Sequence, residues 1–268
     1  MRDTEPIYRN PRDYDLEHEG DDEDIAFYLR LATRLKPRRV LELACGSGRV
    51  TIPLAALGAE RGFDVVGVEL ADEMLREAER KRADQAEGVR QRLSLVKGDM
   101  RTWESDGGFD LVLSPCSSLC HLLTLDDQLA TWRRAHAHLA PGGRFVADIV
   151  MPSLATFGDS SHTPPRLLVE VDLDSSEPDG SARLLRYKTT RYLAHEQRAE
   201  IRFLYDRFEP VHAKDRYVSD FDSHVYFPRE LELLFLHTGF TVETTWGSYS
   251  DRPLRTSSRV MLMVGRKE

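Results

Sequence analysis

Cysteine is scarce in this chain: Cys45, Cys116 and Cys120 are the only three in 268 residues. Three cysteines cannot all pair, which excludes a disulfide-stapled scaffold and points to a reducing, cytoplasmic setting. Cys116, Cys120 and His121 lack both the Cys-x-x-Cys spacing and a second pair, so no metal site is expected. Long apolar runs are missing as well. No stretch approaches the ~20 apolar residues that cross a bilayer, and MRDTEPIYRN at the start does not read as a signal peptide. Positive charge is not in excess, because 37 Lys and Arg face 45 Asp and Glu for a net charge of −8. A protein gripping phosphates shows a basic face, so nucleic acid and membrane are not expected partners. Local basic groups such as Lys36-Pro37-Arg38-Arg39 read as the end of a helix, where they complement its dipole. Repeats and low-complexity linkers are also absent. The length allows one large domain, or one domain with a substantial insert.

The run VLELACGSGRV over 40–50 carries the most information. An apolar strand holding one acid, Glu42, breaks into a turn at Ala44, Gly46 and Gly48, and 49–57 reads as a helix. Glycine lets backbone approach a ligand and permits φ > 0, and the helix start aims free N–H groups over the turn. Glu42 would oppose a pyrophosphate but suits an ammonium or a sulfonium. Thr51 stands where the dinucleotide fingerprint wants a third glycine. A second strand over 64–68 ends in Glu69, placed to accept from both hydroxyls of a ribose. A third, 93–96, ends in Gly98-Asp99-Met100, where an adenine ring could lie.

These stretches, with FDLVLSPCSSLCHLL and LAPGGRFVADI, resemble the class I S-adenosylmethionine-dependent methyltransferases. The resemblance covers roughly 24–150 and resumes near Phe227. Within that superfamily the insert and the closing pattern Gly247-Ser248-Tyr249…Ser257-Ser258-Arg259 look like the small-molecule branch that includes the sugar N,N-dimethyltransferases. The resemblance implies an α/β fold: a doubly wound, mostly parallel seven-stranded sheet, Rossmann-like, with an antiparallel β insert after strand five. The expected division is an N-terminal lid over 1–23, a donor-binding domain over 24–150 and 227–268, and an insert over 151–226. S-adenosylmethionine is the implied cofactor. Tyr14, Glu42, Ala44, Gly46, Gly48, Arg49, Glu69, Leu70, Met74, Asp99, Met100, Pro115 and Ser117 are its implied contacts, with Tyr8 a rival to Tyr14.

The residue pattern agrees on architecture. From 40 to 150 strands and helices alternate, the signature of a parallel sheet. Pro141-Gly142-Gly143 is expected to stop the helix 128–139 before strand five, 144–149. Four β-like runs follow, 166–173, 182–193, 198–208 and 216–226, the first two joined by the turn-rich 175–181. They read as an antiparallel meander that either covers the acceptor site or makes a homodimer contact. A helix over 228–238 and strands over 241–246 and 259–265 close the sheet.

Open α/β sheets bind ligands beyond the carboxyl ends of their strands, which puts the loop 114–121 beside the reacting methyl. His121 in that loop reads either as a general base or as a helix-start histidine bonded to backbone. His224 and Tyr226 fall on one face of the last insert strand, as acceptor contacts or as packing. The expected function is methyl transfer from S-adenosylmethionine to N, O or C of a small metabolite, a natural-product amine leading by resemblance. The rivals are an NAD-dependent oxidoreductase and a non-catalytic S-adenosylmethionine-binding partner.

Overall fold

The computed structural model describes residues 6–152, 168–174, 183–209 and 212–268. The expected turn at 175–181 lies outside the described residues, as do the first two residues of the run expected from 166. The chain divides into two compact units, Asp21–Pro152 with Tyr226–Glu268, and the described residues of Met1–Gly20 with those of Ser153–Val225.

The larger unit is a seven-stranded sheet built from β1 (Arg39–Leu43), β2 (Asp64–Glu69), β3 (Leu93–Lys97), β4 (Phe109–Ser114), β5 (Leu139–Val150), β10 (Phe240–Trp246) and β11 (Val260–Lys267). Its order is β10-β11-β5-β4-β1-β2-β3. The five early strands run parallel, and β11 lies antiparallel to both β5 and β10. The doubly wound, mostly parallel sheet expected from the sequence is therefore present. Strand order reverses beside β1, whose carboxyl end is thus where a ligand crevice belongs.

Both faces are packed, which is why the strands are nearly continuous apolar runs. On one face Leu41, Leu43, Val112, Phe145, Ala147 and Ile149 meet Trp132 of α6 (Leu125–His138) and Leu231, Leu234 and Phe235 of α7 (Pro228–His237). On the other, Val40, Leu111, Leu113 and Val146 pack on Phe27, Tyr28 and Leu31 of α2 (Glu23–Leu35) and Leu54 of α3 (Thr51–Arg61). Since side chains alternate along a strand, Glu42 and Asp148 project to this second face, beside Val40 and Val146. Two boundaries differ from expectation. Helix α3 begins two residues later than the expected 49, its third position being Pro53, which the first turn accepts because no intrahelical N–H is needed there. The helix before strand five ends at His138, one residue short of the expected 139, but strand five begins at Leu139 rather than at the expected 144. Leu139 already pairs with Phe109, and pairing resumes only at Arg144 opposite Leu111. Pro141-Gly142-Gly143 therefore forms a bulge inside β5, with Gly142 at φ 78°.

The smaller unit holds a four-stranded sheet, β6 (Leu168–Asp174), β7 (Arg183–Leu193), β8 (Arg198–Glu209) and β9 (His212–His224), antiparallel in chain order. This is the expected meander. Helix α1 (Pro11–Glu17) belongs to the same unit and is fixed by paired charges. Asp13 is buried, paired with the Arg207 guanidinium and accepting from Tyr217 Oη at 2.5 Å. Glu17, one turn on, pairs with Arg186. Strand β9 ends at His224, so Tyr226 does not share a strand face with it. Val225 N–H donates to Gln197 O in the smaller unit, and the chain then enters the core of the larger one, where Tyr226 lies near Trp132.

Candidate active site

The glycine turn after β1 is built from left-handed residues: Ala44 at φ 57°, Gly46 at 58° and Gly48 at 82°. At Gly46 a Cβ would approach Met74 Cε to 3.3 Å, so glycine serves there both for φ and for space. The Gly46 N–H donates to Glu69 Oε2 at 2.8 Å, and the Ala71 N–H donates to Glu69 Oε1 at 2.7 Å. Glu69 at the end of β2 thus clasps the turn after β1. Burial pushes its carboxyl up, against the lowering by these backbone N–H donors and by His121. His121 ends the short 3-10 helix Ser118–His121 after β4, and its electrostatic influence reaches Glu69.

Glu42 is 2% exposed and accepts from the Thr51 hydroxyl at 2.6 Å. Burial drives its carboxyl up to about 8, only partly offset by Thr51 and Arg49. The side chain that replaces a third glycine therefore has its own task, which is to satisfy the acid in the strand. Arg49 reaches across the turn to Asp24 in a close ion pair, donates to Asp21 O at 3.0 Å and to Cys116 Sγ at 3.0 Å. Among the described residues its Nε, like the hydroxyl of fully buried Ser114, has no hydrogen-bond partner. Leu70 is exposed beside Glu69, an apolar surface at a strand end where a ring can lie. Asp99 is different. Burial raises it but Arg101 more than compensates, gripping both oxygens at 2.6–3.1 Å and holding the carboxyl low. Met100 packs partly buried against the core.

The loop after β4 carries Pro115, then Cys116 and Ser117, both left-handed. The structure brings this loop together with Glu42, Arg49 and Glu69, through the Arg49–Cys116 contact and His121. It keeps Tyr226 beneath it: the ring is 1% exposed and the phenol donates to Leu119 O at 3.1 Å. Tyr226 thus supports the backbone of the loop from the core. Tyr14 and its rival Tyr8 meet edge-on at 6.4 Å in the smaller unit, and His224 is buried at the end of β9.

Several members were missed by sequence reasoning. Asp148 on β5 is 1% exposed and accepts from Tyr28 Oη at 2.9 Å and Tyr249 Oη at 3.1 Å. Burial pushes it up to about 7. The signal was available, since Asp148 interrupts the apolar run FVADIV just as Glu42 interrupts VLEL. Asp24 as the partner of Arg49 had no local signal, being one acid among many.

What such a site suits is a ligand that brings positive charge. Glu42 and Glu69 are buried carboxyls whose hydrogen-bond donors are neutral. A cationic, hydroxyl-bearing group offers what they lack, and the unpartnered Ser114 Oγ and Arg49 Nε offer further contacts. A sulfonium nucleoside with an amino acid tail meets that description.

Comparison with known proteins agrees. Residues 40–143 match the family described as "Methyltransferase domain". YqeM of Bacillus subtilis (strain 168), provisionally named a methyltransferase, is 28% identical over 234 residues, covering 85% of this chain and 84% of its own. The dTDP-3-amino-3,4,6-trideoxy-alpha-D-glucopyranose N,N-dimethyltransferase of Streptomyces venezuelae is 34% identical over 125 residues, 47% of each chain. The CcbJ methyltransferase from Streptomyces caelestis shares the fold, with a TM-score of 0.75 at 23% identity over 92% of this chain and 89% of that one. The domain match, the relatives and the shared fold support an S-adenosylmethionine-dependent methyltransferase. Its cofactor is S-adenosylmethionine, and the dinucleotide oxidoreductase reading is set aside.

Proposed function

We propose that this enzyme methylates a nitrogen or an oxygen of a small metabolite, with an amine as first choice and carbon as a lesser alternative. The observation that carries the reading is the convergence of buried carboxyls short of cations with the His121 loop at one sheet edge. The amine is favoured by the partial likeness to an amino-sugar N,N-dimethyltransferase.

S-adenosylmethionine supplies a methyl already activated on a sulfonium, and the chain's own work is placement. Glu69 accepts from the ribose hydroxyls, Glu42 and the Ala44–Gly48 turn take the amino acid end, and Arg49 meets its carboxylate. Leu70, Met74 and Met100 flank the adenine, Asp99 sits at its rim, and Pro115 and Ser117 border the methyl. Holding donor and acceptor in line can contribute up to ~7–11 kcal/mol, so neither a metal nor an oxyanion hole is required. An ammonium must lose its proton before attacking, and His121 is the group assigned to take it. By chain order the insert leaves β5 beside this loop, so the insert with His224, and the N-terminal segment with Tyr14, are assigned to acceptor selection and closure.

The test is release of S-adenosylhomocysteine on a panel of amines, including a nucleotide-linked amino sugar, and matched alcohols. Turnover is expected with amines first. His121→Ala should lower kcat most where the amine is protonated, with partial recovery at high pH. Donor binding without turnover on any acceptor would instead favour the non-catalytic reading.

A further inference from the structure

Two consecutive non-glycine residues sit in the left-handed region in the loop after β4, Cys116 at φ 54° and Ser117 at φ 59°. Such residues are strained and persist only where the surroundings over-determine them. Here the surroundings are the end of β5. The Ser117 N–H donates to Asp148 O at 3.1 Å, and the Val150 N–H donates to Ser117 Oγ at 2.8 Å. The Cys116 N–H leans on Asp148 Oδ2 at 3.4 Å.

The carboxyl of Asp148 is itself pinned from two further directions. Tyr28 Oη donates from α2 at 2.9 Å, and Tyr249 Oη donates from the segment between β10 and β11 at 3.1 and 3.2 Å. Tyr249 is tied back to α2, since the Arg30 guanidinium donates to its carbonyl oxygen. A carboxyl this deep with only neutral donors is expensive, and an apolar side chain would fill the place at lower cost. Core packing alone does not account for it. The strained pair it touches does.

We propose that Asp148 is a positioning residue for the acceptor half-site: with Tyr28 and Tyr249 it locks the Cys116–Ser117 pair, and through that pair sets the turn that carries His121. The proposal rests on the reading of 114–121 as the loop beside the reacting methyl. It predicts that loosening Asp148 releases this loop alone and leaves the Glu69 clasp intact, because Glu69 is held by Gly46 and Ala71 and by nothing on β5.

The test compares Asp148→Ala, Asp148→Asn, Tyr28→Phe and Tyr249→Phe with the parent. The first readout is the rate of N-ethylmaleimide labelling at each cysteine, resolved by peptide mass spectrometry. Asp148→Ala should speed labelling of Cys116 at least tenfold while buried Cys45, in the turn after β1, stays at the parent rate. Asp148→Asn and the two phenylalanine variants should fall between, since each keeps part of the network. S-adenosylhomocysteine affinity by calorimetry should change less than threefold in all four. On whichever amine of the panel turns over, kcat should fall at least tenfold for Asp148→Ala with donor KM unchanged. Unaltered Cys116 labelling, or equal acceleration at Cys45, would overturn the proposal, because Asp148 would then be an inert or a general packing residue. If no acceptor turns over, the assigned function fails, yet the labelling pattern still decides the role of Asp148.

Discussion

In the parallel-sheet unit Glu42, Glu69 and Asp148 are buried against hydroxyls and backbone N–H groups, whereas in the antiparallel unit Asp13, Glu17 and Asp206 are each met by an arginine. Burial raises the first three carboxyls. Asp206 goes the other way, because Arg216 holds it below the usual carboxylate range. Acids with their own arginines are structural clamps with no charge left to satisfy. Glu42 and Glu69 have no hydrogen-bonded arginine of their own, and positive charge is what the proposed cationic donor would bring. Asp24 of the larger unit, buried and paired with Arg49, follows the clamp pattern, so the contrast lies between acids with and without an arginine of their own.

Breaking a clamp should have the largest effect. Arg186→Ala leaves Glu17 buried without its partner and should destabilise the smaller unit by about 3–5 kcal/mol. The measurement is urea unfolding followed by limited proteolysis, with donor affinity expected within twofold of the parent. Replacing both partners with apolar residues should recover most of the loss; failure of Arg186→Ala to destabilise would remove the contrast between the units.

Glu69→Ala comes next, with donor affinity lowered by roughly 1–3 kcal/mol as ribose hydroxyls and the Gly46 and Ala71 N–H groups lose their acceptor. Asp99→Ala should weaken binding less, since Arg101 already occupies that carboxylate. Calorimetry with S-adenosylhomocysteine reads both, and an inverted order would mean the ribose lies elsewhere.

A smaller effect concerns protons. Glu42 in the folded chain titrates at about 8, above its ordinary 4.5. A raised carboxyl stabilises the fold fully below its unfolded pKa, and that contribution is lost as pH rises through the folded value. Stability should therefore decline between roughly pH 5 and 8, and Glu42→Gln should flatten that slope in thermal melts. Near neutrality Glu42 is largely protonated, so S-adenosylmethionine should expel up to one proton on binding. Apparent enthalpies in buffers of different ionisation heat should diverge for the parent and converge for Glu42→Gln. The smallest effect is EDTA, which should leave turnover unchanged; loss restored by magnesium or zinc would place a cation at these acids.

Architecture was legible because hydrophobic period and turn chemistry are local. The meander over β6 to β9, the closing pair β10 and β11, and the glycine turn all follow from short-range pattern. Boundaries failed where a tertiary pairing won: Leu139 is claimed by Phe109, so strand five starts before Pro141-Gly142-Gly143 and not after it, and Tyr226 is claimed by the core around Trp132 rather than by β9. The acids Glu42 and Glu69 could be read from strand ends, but what satisfies them could not. Thr51 is nine residues from Glu42, yet Tyr28 and Tyr249 stand 120 and 101 residues from Asp148. Partners so distant leave no mark in a local window, and only the odd acid within FVADIV hinted that they exist.

The placement of β11 has a consequence for how the chain comes to be made. Residues 260–267 are sandwiched between β5 and β10, with β5 finished more than a hundred residues earlier. Until the ribosome has delivered residue 267, one flank of β5 presents unpaired N–H and carbonyl groups, a template for wrong partners. Completion also demands contacts of long sequence separation, which form slowly. A nascent chain stalled before Val260 should therefore be a client of chaperones and prone to self-association, and removing 260–268 should yield insoluble protein rather than a weakened enzyme.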